Sequence, residues 1–75
     1  MNAGMPIALR EKYGLVHVPG PRRCSDWAAR ARREIDAGLP PEHAGFQAAR
    51  AVFPYEAREI PLAGTVAVAD LLTMA

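Results

Sequence analysis

Cys24 and Arg30 are the residues whose types and spacing most directly offer chemistry. The segment PRRCSDWAARARREID (21–36) places a lone cysteine behind Arg22 and Arg23 and sets Arg30 beyond it with five residues between. A thiol beside two guanidinium groups and at the start of a helix has its thiolate stabilised, and the thiolate is the nucleophile. An arginine carried nearby supplies a bidentate clamp for a phosphate ester.

The spacing resembles the phosphate-holding loop of cysteine-dependent phosphatases, but the intervening residues do not follow it. Such a loop needs small residues so that its amides can wrap the anion. Here Ser25, Asp26, Trp27, Ala28 and Ala29 intervene, an acid and an indole among them. They read as helix, in which positions 24 and 30 lie roughly 240° apart around the axis and their side chains diverge. A phosphatase-like enzyme at Cys24 and Arg30 is therefore the weakest of three readings, and the chain is expected to be non-enzymatic.

The second reading uses the arginines as a group. Arg22, Arg23, Arg30, Arg32 and Arg33 fall within twelve residues, the electrostatic footprint of a nucleic-acid-binding regulator. Asp26–Arg30, Arg30–Glu34 and Arg32–Asp36 are i,i+4 pairs, which leaves Arg22, Arg23 and Arg33 to face phosphate. On the next helix Gln47 and Arg50 are chemically able to read base edges. The net charge of +1 gives this reading little support.

The elements that must position these residues are separated by proline and glycine. Pro6 opens a helix through IALREKY, with Gly14 as its left-handed stop and Leu15 as the apolar contact after it. A hairpin over 7–18 competes with this. LVHV (15–18) reads as a strand. A helix over 25–37 has Ser25 as its N-cap, Gly38 as its stop, and Trp27, Ala28, Ala31 and Ile35 on its apolar face. PEHAGFQAARAVF (41–53) forms a second helix, and the short GLPP connection makes the two antiparallel. YEAREI (55–60) reads as a strand closed by Pro61 and paired with LVHV. TVAVADLLTMA begins at Thr65, and Val68, Leu71, Leu72 and Ala75 lie at helical spacing, which outweighs a strand over TVAVA.

The expected fold is thus α+β: an αα-hairpin on a short two-stranded sheet with a C-terminal helix, in one domain spanning 1–75. His17 is read as a strand residue and His43 as a solvent-facing residue beside Gln47. With Cys24 they lack structural-zinc spacing, so no metal or cofactor is expected.

Seventy-five residues bury a modest core, and one cysteine excludes an internal disulfide. Fifteen of the hydrophobic residues are alanine, so a partner surface is expected to complete the core. The C-terminal helix, apolar on most sides, is its natural location. A homodimer through Val68, Leu71 and Leu72 follows, with the chain acting as a self-associating interaction module that could also take a protein partner. No apolar run reaches the roughly 18 residues of a membrane span. The free thiol points to a reducing, cytoplasmic setting. The abundance of Ala, Arg, Gly and Pro points to a GC-rich bacterial genome.

Overall fold

The computed structural model describes residues 4–60 and 65–74. Four helices follow in order: α1 (Gly4–Tyr13), α2 (Pro21–Asp36), α3 (Pro41–Val52) and α4 (Val68–Met74). Pro61, expected to close a strand, and Ala75, expected on the terminal helix face, lie outside the described residues.

Among the described residues there is no strand, so the expected α+β fold with a two-stranded sheet is corrected to an all-helical one. The backbone explains why. After α3 the chain turns tightly, with the Glu56 and Ala57 N–H groups both donating to the Phe53 carbonyl at 3.2 and 3.0 Å. This folds YEA into a turn. Only 58–60 runs clear of this turn, and it meets the end of α1 through one backbone bond, Arg58 N–H to the Tyr13 carbonyl at 2.8 Å. The Val16 N–H donates to Glu56 Oε1 at 2.8 Å, where a ladder would supply a backbone carbonyl. One bond between two short segments does not make a sheet.

The helix ends follow local chemistry. Gly14 at φ 62° lets the Leu15 N–H reach back to the Arg10 carbonyl at 2.9 Å, and Leu15 is buried. Gly38 at φ 109° ends α2 with the paired bonds of a Schellman motif, Gly38 to Ile35 at 2.9 Å and Leu39 to Glu34 at 3.1 Å. The α2 helix starts earlier than Ser25. Pro21 takes the first position after Gly20, where its missing N–H costs nothing, so Ser25 is interior and not a cap. Likewise α4 begins at Val68, three residues after the expected cap Thr65.

The hairpin of α2 and α3 forms the base, with Ala28, Ala31, Ala48 and Ala49 buried along it. α1 packs on α2 and α4, and α4 closes over α3. Trp27 is fully buried and donates its indole N–H to the Gly45 carbonyl at 3.0 Å, pinning the two helices together. Gly45 is required by close packing. A Cβ there would overlap a Val68 methyl and come within 2.6 Å of Tyr13 Oη. Val68 and Leu71 are buried within this same chain, Leu72 half-buried. Arg32 anchors the end of α4 by donating to the Leu72 carbonyl at 2.8 Å.

Candidate functional site

Cys24, the nucleophile of the weakest reading, sits inside the first turns of α2. Cys24 is buried, with its Sγ 3.8 Å from the Pro19 carbonyl, and burial pushes its thiol up from the ordinary range. That is the opposite of an activated thiolate. Arg30 lies further along the same helix, exposed, with its Nε 4.0 Å from Glu34. The helix separates the two groups, and they form no common site.

The arginines make separate contacts. Of the three expected i,i+4 pairs, Arg30–Glu34 is the one within 4.0 Å among the described residues. Arg23 lies over the Phe53 ring at 6.0 Å and Arg50 over the Phe46 ring at 5.9 Å. Arg33 stands near the far end of α2, and Gln47 is engaged with His43 at 3.3 Å.

Two features were not read from the sequence. The first is an ion pair between a buried lysine and a half-exposed glutamate. Lys12 is 3 % exposed, and its Nζ meets Glu42 Oε1 at 2.8 Å, the Val66 carbonyl at 2.7 Å and Thr65 Oγ1 at 3.2 Å. The other carboxylate oxygen, Glu42 Oε2, accepts the Val68 N–H at 2.7 Å. One cation and one anion from α1 and α3 thus fasten the chain entering α4. A cleft of about 440 Å³ opens beside this pair, lined by Lys12, Tyr13, Glu42, Phe46, Glu59 and Ile60, with His43 at its rim. The Lys12 and Glu42 polar atoms are already spent on each other and on the backbone, so the cleft offers a ligand few free groups.

Tyr13 stands behind this pair with its Oη buried and without a hydrogen-bond partner, since the Trp27 N–H is committed to Gly45. Burial, and then the Glu42 carboxylate, hold the phenol neutral well above the ordinary tyrosine range. Because the folded form keeps its proton more tightly, this stability is fully present below the unfolded value of about 10 and drains away as pH rises above it. Tyr13→Phe removes a stranded hydroxyl, so it stabilises the protein by about 1 kcal/mol and flattens the alkaline limb. Thermal melts across alkaline pH measure both; a destabilised variant with an unchanged limb would refute this reading.

The second feature is the end of the molecule where the 14–18 and 53–58 segments meet. Val16 is 69 % exposed, Val18 48 % and Tyr55 99 %. Two short segments hold these side chains outward while Leu15, Pro19 and Phe53 are buried beneath. A strand pattern hides this arrangement, because LVHV reads as half-buried alternation when a sheet is assumed.

Among the described residues no group of three or more His, Cys, Asp or Glu is placed to hold a metal ion, and no helix is long and apolar enough to cross a membrane. Comparison with protein-family models, with curated proteins and with solved structures returned no match.

Proposed function

We propose that this protein is a non-enzymatic interaction module whose working surface is the end formed by the 14–18 and 53–58 segments. The observation that carries this is the outward display of Val16, Val18 and Tyr55 on two segments cross-braced by the Val16–Glu56 and Tyr13–Arg58 bonds. Apolar side chains gathered on a braced surface are the usual mark of a contact surface. A buried thiol whose pKa is raised, set apart from its arginine, supports the absence of catalysis at Cys24.

The dimer expected through α4 loses its physical reason, because Val68 and Leu71 are covered by the chain's own helices. Association through that face would first require α4 to leave Lys12, Glu42 and Arg32. The proposal therefore moves the contact surface from α4 to the opposite kind of element, a pair of loops.

Photo-crosslinking in cells producing the full chain tests this. A benzophenone amino acid in place of Tyr55 is expected to yield one or a few discrete adducts, and the same amino acid in place of Asp36 none. Equal adducts from both positions, or none from position 55, would overturn the proposal. An adduct at twice the chain mass identifies a second copy as the partner, and a nuclease-sensitive adduct would overturn the protein-contact reading in favour of nucleic acid.

A further inference from the structure

We propose that the partner surface received at this end is an acidic, apolar protein segment, an inference that rests on the interaction-module reading above. The placement of charge argues for it. Residues 14–23 and 53–58 are held together at two points, Val16 N–H to Glu56 and Arg23 over the Phe53 ring, and Arg58 N–H also donates to the carbonyl of Tyr13 at the end of α1. On these two segments the cations are Arg22, Arg23 and Arg58, all exposed, and the one carboxylate, Glu56, has its Oε1 on the Val16 N–H. Arg58 and Ile60 both lie against Gly14, so Glu59 between them turns away and lines the cleft. Arg23 and Arg58 thus belong to the braced segments that carry Val16, Val18 and Tyr55, with Arg22 exposed beside Arg23, although the whole chain carries only +1.

Such a surface complements carboxylates interspersed with aliphatic side chains. The arginines pair with carboxylates in bidentate geometry and steer the encounter. The valines bury against branched or leucyl side chains, and Tyr55 supplies an aromatic anchor of the kind enriched at protein contacts. Nucleic acid fits less well. A strand of bases stacks on flat aromatic faces, and Tyr55 is the one aromatic ring fully displayed here, while the two valine side chains would stay wet.

Fluorescence anisotropy on the full chain tests this with four labelled probes: a peptide alternating Glu and Leu, the same peptide with Lys for Glu, the same with Ser for Leu, and oligothymidylate. Binding is expected for the Glu/Leu peptide alone, weakening with added salt. The double variant Arg22→Glu, Arg58→Glu is expected to weaken it by about tenfold, and Val16→Ser with Tyr55→Ser by a similar factor. All four positions are exposed, and circular dichroism confirms that the variants keep the helical fold.

Equal binding of the Lys/Leu or Glu/Ser peptide, preference for oligothymidylate, or no binding of any peptide would overturn the inference. If it is overturned while discrete adducts still form at position 55, the inference falls alone. If adducts are also absent, the interaction-module reading falls with it.

Discussion

Trp27→Ala is expected to remove about 3–5 kcal/mol, a large share of the stability of so short a chain. The indole is fully buried between α2 and α3, it lies 6.2 Å from the Tyr13 ring, and it satisfies the Gly45 carbonyl. Most of its neighbours along the hairpin are alanines, which cannot expand to fill the space. Deleting a buried tryptophan costs about 3–5 kcal/mol. A chain of this length has a total stability of about 4–11 kcal/mol. Trp27→Phe separates the two contributions, since it keeps an aromatic ring but loses the indole hydrogen bond to a carbonyl that stays within the α3 ladder, at about 1 kcal/mol. Urea unfolding followed by far-ultraviolet dichroism measures both variants. A Trp27→Ala protein with nearly unchanged stability would show that the hairpin is not held by this residue.

The second large effect concerns the ion pair, and it is asymmetric. Glu42→Gln removes the counter-charge of an ammonium that is 3 % exposed, whereas Lys12→Met strands a carboxylate that is 40 % exposed. A buried charge left without its partner costs about 3–5 kcal/mol. An exposed one is re-solvated, so Lys12→Met is expected to cost about 1–2 kcal/mol, lower because water screens the remaining group. Both variants loosen the entry to α4, since Lys12 holds Thr65 and Val66 while Glu42 holds the Val68 N–H. Amide hydrogen exchange should therefore accelerate over 68–74 before it does over α2 and α3. Equal costs for the two substitutions, or uniform acceleration along the chain, would contradict this account.

What was legible in the sequence was local. Gly14 and Gly38 announce helix ends because a left-handed residue is needed there, and both take it. The apolar period of Trp27, Ala28 and Ala31 identified the buried face of α2, and GLPP correctly implied an antiparallel pair. Pro21 was read as part of a loop although proline is suited to the first helical position, and Ser25 drew the start of the helix four residues too far along. The sheet failed for a different reason. β-rich composition in LVHV and YEAREI was weighed without a backbone partner, and Pro54 together with the turn at Phe53 breaks the second segment before it can pair.

The site was less legible than the fold. Cys24 and Arg30 are close in sequence, yet a continuous helix keeps them apart. Lys12 and Glu42 are thirty residues apart, and neither carries a local sign that it will be buried or paired. The apolar spacing of Val68, Leu71 and Leu72 gave the helix correctly but not what covers it, because periodicity identifies a buried face without naming the surface opposite.

The central claim is that one chain covers its own core, α4 included, and leaves the 14–18 and 53–58 end for a partner. Light scattering of the tag-free protein over a wide concentration range tests this most directly. The account predicts the mass of a single chain, 8.1 kDa, throughout. A stable mass of two chains, retained when Val16 and Tyr55 are both replaced by serine, would contradict it and return the contact surface to α4.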